Sequence, residues 1–235
     1  MVATVLRRGD APREADAEQG TLVEHCYRIL KHDIIRGTRP PGERLRIDKL
    51  RTLYGVGTSP IREALQRLTG DGLVLVRERR GFQVAPIDMA EFADLNLART
   101  EIELAILRLA IEHGDDEWEA GIVAAAYRLE KGDALLHQLG DAAFDEWNEL
   151  NRAFHSALLA ACPSRWLLRT RDALNEKCER YRRFSVSRDR TERNLLQEHR
   201  DIADAVIKRD QRSAAEKLRE HYARTASGLE KIFAE

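Results

Sequence analysis

The 235-residue chain carries 39 Lys and Arg against 40 Asp and Glu, a formal net charge of −1, with 43% hydrophobic and 6% aromatic residues. That is too long for one small domain and apolar enough to fill the cores of two ordinary ones. No apolar run approaches the roughly 20 residues of a membrane span, and the polar first twenty residues hold no signal core. No membrane is therefore expected as a partner, and the protein is expected to be cytoplasmic.

Taken in order, residues 1–20 read as a disordered arm. Thr21 is expected to cap a helix running to about Arg36, with Leu22, Cys26, Ile29, Leu30 and Ile34 as its inner stripe and Gly37 as its stop. The segment Thr38-Arg39-Pro40-Pro41-Gly42-Glu43 is a rigid turn. Ile47, Leu50 and Leu53 mark a short second helix, and Tyr54-Gly55-Val56-Gly57 is a connection of helix-turn-helix length. Ser59 and Pro60 are placed to start a third helix sharply, the hydroxyl as cap and the proline at the first helical position. Ile61, Ala64, Leu65 and Leu68 then form its apolar face, while Thr58, Arg62 and Gln66 line up four apart on another.

Leu73–Arg77 and Gly81–Ala85 read as two strands closed by Glu78-Arg79-Arg80. The unit is a winged helix-turn-helix. Residues placed this way read double-stranded DNA, with Thr58, Ser59, Arg62 and Gln66 offered to the major groove and Arg79, Arg80 and Gly81 at the wing. Charge agrees: residues 21–86 hold thirteen Lys/Arg against seven Asp/Glu, a net +6, whereas residues 87–235 hold a net −6. Phosphate neutralisation supplies much of the affinity of such heads.

The boundary falls near Pro86, dividing a DNA-binding domain at 21–86 from a second domain at 87–235. From Asp88 onward every long segment has helical period, with helices expected at about 88–113, 116–138, 143–161, 165–186, 191–209 and 211–233. The fold class is therefore mainly α, a winged helix-turn-helix followed by an all-helical bundle. Cys26, Cys162 and Cys178 lack CxxC spacing and sit in helical patterns, so they read as buried thiols.

Bundles commonly enclose ligand or metal sites lined by inward side chains. His155 follows Asn151 by one turn in NRAFH, His199 lies in QEHRDIADAVIKRD, and His221 lies in REHYARTASGL. Three imidazoles and an amide oxygen from three helices suit a divalent metal such as Zn, Ni or Mn with open positions. Each histidine taken singly also reads as a hydrogen-bonded core residue. His25, His32, His113 and His137 are expected at the surface or in structural roles. Arg99 and Glu103, four apart, read either as an ordinary ion pair or, with Asn151, as effector-binding residues in which Arg99 clamps a carboxylate. Arg180, Arg182, Arg183 and Arg188 are too many to be all internal, and most are expected in solvent.

With these residues in place, the sequence resembles the GntR family of bacterial transcriptional regulators, in the FadR-like subfamily with an FCD effector domain. The likeness rests on PGERL at 41–45, SPIREALQRL at 59–68, DGLV at 71–74, RGFQV at 80–84, NRAFH at 151–155 and EHRDIADAVIKRD at 198–210. It implies an antiparallel bundle in which His155, His199 and His221 are metal ligands. Asn151 stands where the family usually has aspartate, which weakens the site for a cation and leaves it more positive. Gly57 and Thr58 replace a more usual Ser-Arg, so a base-reading arginine is missing, while Arg62 matches. Within the subfamily, GVGTSPIREAL and ACPSRWLL resemble CsiR-type regulators, which respond to small dicarboxylates such as glutarate.

The expected protein is a homodimeric repressor, not an enzyme, that binds a pseudo-palindromic operator and senses a small carboxylate effector. Two rivals are a regulator that senses the metal itself and a metalloenzyme fused to a DNA-binding head.

Overall fold

The computed structural model describes residues 14–78, 81–188 and 193–234. The chain forms two compact units that divide between Ile87 and Asp88.

In the first unit, α1 (Glu14–Ile35) packs on α3 (Thr58–Gly70), with α2 (Ile47–Tyr54) beside it. Cys26, Leu30, Ile34, Leu50, Ile61, Leu65 and Leu68 form its core, closed by Val74, Phe82 and Val84 from the sheet. The sheet is β1 (Arg44–Leu45), β2 (Val74–Arg77) and β3 (Gly81–Val84), antiparallel in the order β1-β3-β2. Val74 pairs with Val84 and Arg77 with Gly81, which sets the wing hairpin.

Four expectations need correction. α1 begins at Glu14 rather than Thr21, so only residues 1–13 of the expected arm lie outside the described residues. Its buried stripe is Val23, Cys26, Leu30 and Ile34, with Leu22 37% exposed. Leu53 does not join the core and is 60% exposed, because α2 offers Leu50 to α3 and ends one turn later at Gly55. That glycine has φ +66° and its N–H bonds the Arg51 carbonyl, a left-handed helix stop that a side chain would strain. Finally, Ser59 is not the cap of α3: Gly57 is the N-cap, and Pro60 is the third helical residue. Proline is tolerated there because N–H groups of a first turn have no helical acceptor.

The second unit is all helical: α4 (Met89–His113), α5 (Asp116–Leu139), a 3-10 turn (Gly140–Ala143), α6 (Phe144–Leu159), α7 (Arg165–Arg188), α8 (Leu195–Ile207) and α9 (Gln211–Ala234). Asp88 caps α4 through the N–H groups of Ala90 and Glu91, Asp115 caps α5, and Asn194 caps α8. α4 packs on α7 and α9, α5 on α6 and α8, and α8 on α9. Apolar packing around Ile106, Ile122, Leu129, Phe154, Ile202 and Leu218 surrounds an interior that is unusually polar. Among the described residues no helix is long and apolar enough to cross a membrane. The three cysteines are free and buried.

Candidate functional site

The first surface of interest is α3. Its inner face, Pro60, Ile61, Ala64, Leu65 and Leu68, is buried in the head. Thr58, Ser59, Arg62 and Gln66 are exposed on the opposite side, and Gly81 is exposed at the start of β3. Arg79 and Arg80 lie outside the described residues.

The second site is inside the helical unit, where α6, α8 and α9 bring His155, His199 and His221 together. They are 3%, 3% and 7% exposed, and one ligand atom from each lies within 4.8 Å of the others. The remaining histidines, His25, His32, His113 and His137, are exposed as expected.

Each of the three rings is held from behind. His199 Nδ1 stands 2.8 Å from Asp133 Oδ2, whose other oxygen accepts Trp147 Nε1–H at 2.7 Å. His221 Nδ1 stands 2.8 Å from Glu198 Oε2, and Glu198 also accepts a two-pronged bond from Arg193 and an ion pair from Arg224. His155 Nδ1 lies 3.2 Å from the Tyr222 hydroxyl, which donates its proton to Glu103 Oε2 at 2.5 Å. A carboxylate can only accept, so Nδ1 carries the proton in His199 and His221. Tyr222 has already given its proton away, so His155 Nδ1 donates as well. Every Nε2 lone pair is thereby left for the centre.

Protonation agrees with this arrangement. Burial, and then the neighbouring imidazoles and guanidiniums, drives His155 well below the ordinary histidine range. Burial likewise holds His221 down at about 3, against the pull of the Glu198 bond. Both rings are neutral at pH 7, the form that binds metal. On the open side, His199 Nε2 and Asn151 Oδ1 are buried with no hydrogen-bond partner among the described residues. Unpaired buried polar atoms are costly. Here they sit one turn apart from, or inside, a set of nitrogen donors suited to a divalent cation, so the residues fit such an ion.

Around this centre lie cations. Arg99 is 6% exposed, its Nε 2.9 Å from Glu103 Oε1 and its guanidinium carbon 4.1 Å from the Tyr222 ring centroid. The i,i+4 ion pair and the inward-facing reading are thus both true of Arg99. Arg180 and Arg182 are buried at 3% and 6% exposure, contrary to the expectation of solvent. Arg183 stays half-buried, pairing Asp145 at 3.0 Å, and the side chain of Arg188 lies outside the described residues. Periodicity assigns a charged face to water by default; here α7 turns that face toward α4 and α6. Arg171, Asp133 and Tyr222 were not singled out from the sequence. The signal for Arg171 was its spacing to Asn175, Cys178 and Arg182 on one helical face.

Comparison with known proteins agrees with this architecture. The model of the bacterial regulatory proteins, gntR family, matches residues 22–84, and that of the FCD domain matches residues 94–224. The chain is 38% identical over 199 residues to the HTH-type transcriptional repressor GlaR of Escherichia coli (strain K12), covering 83% of this chain and 90% of that protein. It is 35% identical over 212 residues to the uncharacterized HTH-type transcriptional regulator BphR of Paraburkholderia xenovorans (strain LB400), covering 90% and 86%. In fold it is similar to E. coli McbR/YncC, with a TM-score of 0.72 at 21% identity over 90% of this chain and 98% of that one. The relatives are regulators and not enzymes, and the head implies DNA binding as the helical domain implies a small-molecule effector. The chain belongs to the GntR family of bacterial transcriptional regulators, as a member with an FCD effector domain.

Proposed function

We propose that the protein is a homodimeric repressor whose hold on a pseudo-palindromic operator is set by a small organic acid bound in the helical domain. Thr58, Ser59, Arg62 and Gln66 are the base-reading set, and Arg79, Arg80 and Gly81 lie along the backbone or minor groove. The observation that carries the sensing half is the buried polar centre itself. Three backed imidazoles converge near the buried Arg99–Glu103 pair, with the unpartnered Asn151 Oδ1 one helical turn before His155, in a domain whose fold would be more stable with apolar residues there.

His155, His199 and His221, with Asn151 as a fourth donor, would hold a divalent metal such as Zn, Ni or Mn. Bound there, the ion would supply a positive charge with open positions for an acid's oxygens. Arg99 and Glu103 would orient the acid, Arg99 by charge and Glu103 by fixing Arg99. Effector binding changes operator affinity only through unequal affinity for two arrangements of the dimer.

The test is operator binding by fluorescence anisotropy, with metal-loaded and metal-stripped protein, against a panel of C3–C6 organic acids. An acid that shifts operator affinity supports the reading. The same three histidines also favour a second reading, a regulator that answers to the metal alone. Operator affinity that follows metal and ignores every acid would select it.

A further inference from the structure

A bundle helix turns its apolar stripe inward and its charged face to water. The outer face of α5 departs from that pattern. Ala120, Gly121, Val123, Ala124, Tyr127 and Ala134 all lie in the open, with Val123 54% and Tyr127 59% exposed. Ala120, Val123, Tyr127 and Ala134 recur at three- and four-residue steps, the spacing by which one helix seats against another. The opposite face of α5, through Trp118, Ile122, Ala125 and Leu129, is already used by the packing on α6 and α8. Gly121 adds an independent sign. A side chain there would meet nothing within 4 Å, so the chain's own packing does not call for glycine, which is a poor helix former. With Ala120 and Ala124 it makes a shallow floor that another backbone can approach closely.

The charges at the two ends of this face decide what fits it. Asp116 and Glu117 open the helix, and Arg128 and Lys131 lie toward its far end. All four are exposed, and none makes an ion pair among the described residues; Lys131 Nζ stands over the Tyr127 ring at 4.5 Å. A second α5 turned antiparallel about a two-fold axis near Val123 and Ala124 sets the acidic end of each helix against the basic end of the other. Asp116 then faces Lys131, Tyr127 faces the small Ala120, and Val123 faces Ala124. The face is complementary to itself in charge and in size, as a two-fold contact requires. The two most exposed large apolar residues of this unit lack that property. Leu97, 61% exposed, stands on α4 near Asp94 and Glu101, and Trp166, 76% exposed, stands on α7 beside Arg165 and Arg169. A second copy placed there would meet its own sign of charge.

We propose that the outer face of α5 is the seam at which two copies of this chain pack, antiparallel, about a two-fold axis near Val123 and Ala124. This rests on the homodimer reading above and assigns its contact surface in the helical unit. The inner face of the same helix offers Asp133 to His199 Nδ1 at 2.8 Å, so one rod carries both the seam and the carboxylate behind a histidine of the buried centre.

Sedimentation velocity on the full-length protein, from nanomolar to micromolar concentration, tests it, with the far-UV spectrum confirming that each variant is folded. The wild type should be a dimer. Tyr127→Glu, which puts a like charge on both sides of the seam, should raise the dimer dissociation constant at least about tenfold. Lys131→Glu should also weaken the dimer, and adding Asp116→Lys should restore it. A second measurement leaves the seam nearly intact: Ala124→Cys beside the axis should be joined to its own copy by a short bis-maleimide, the native cysteines being buried. Ala134→Cys, about 30 Å from its copy in this arrangement, should not be joined. A dimer that survives Tyr127→Glu, or an Ala124→Cys protein that stays uncrosslinked, overturns the α5 seam and leaves the homodimer reading standing. A wild type that is monomeric throughout overturns both.

Discussion

Tyr222 joins the cationic and histidine halves of the buried site: its hydroxyl donates to Glu103 at 2.5 Å while accepting from His155 Nδ1 at 3.2 Å. Glu103 is held in turn by Arg99 and Arg171, so a charge placed near those arginines is felt at the His155 imidazole three polar contacts away. Tyr222→Phe removes the acceptor that fixes the His155 tautomer. Metal affinity should fall about 10- to 100-fold, the usual cost of losing such a backing bond. Competition with a chromogenic chelator measures it, and an unchanged dissociation constant would remove Tyr222 from the site.

Asn151 Oδ1 is buried and unpartnered. Aspartate at this position puts a full negative charge one helical turn from His155, so if the proposed metal site holds, Asn151→Asp should tighten divalent-metal binding by about tenfold or more, about 1.4 kcal/mol. The same charge repels an incoming anion. The response of operator binding to an acid effector should then need more acid, which a titration of operator binding reads directly. Weaker metal binding in this variant would show that Asn151 is not a ligand.

Arg62 is exposed on the outer face of α3, four residues from Gln66 and on the side away from the buried Ile61, Ala64 and Leu65. Arg62→Ala should weaken operator binding by roughly 1–3 kcal/mol and relax preference at one base position. Footprints identical to the wild type would move the reading surface elsewhere.

The metal-free protein should lose stability in mild acid. His155 and His221 are held below the ordinary imidazole value, His221 at about 3, whereas the same rings in the unfolded chain titrate near about 6.5. Between about pH 6.5 and 4.5 the unfolded chain binds protons that the folded chain refuses, so stability falls as pH falls. The slope is up to about 1.4 kcal/mol per pH unit for each ring. Below that window Glu103 and Glu198, both held low in the fold, act in the same direction. Urea unfolding with chelator at pH 7 and pH 5 should give a lower midpoint at pH 5, and equal midpoints would place the rings in contact with solvent.

Local rules made much of this molecule legible without coordinates. The spacing of Ile61, Ala64, Leu65 and Leu68 names the buried face of α3 and so also names the exposed one, because 3.6 residues per turn permits no other division. The helical period from residue 88 onward, and the placing of His155, His199 and His221 on separate helices, are properties of the chain alone. β1 was missed because two residues, Arg44 and Leu45, carry no period to detect.

What the tertiary structure decided is which charged faces turn inward and what meets them. Arg171 and Arg182 have the same local pattern as solvated arginines, and only the packing of α7 against α4 and α6 buries them. Glu103 and Tyr222 are 119 residues apart, and Asp133 and His199 are 66 apart. No spacing rule reaches that far, since hydrogen bonds between separate helices depend on where the helices pack and not on their own turns. The sequence by itself supplied the reader, the rods and the imidazoles; the packing of those rods supplied the backing carboxylates and the buried positive charge.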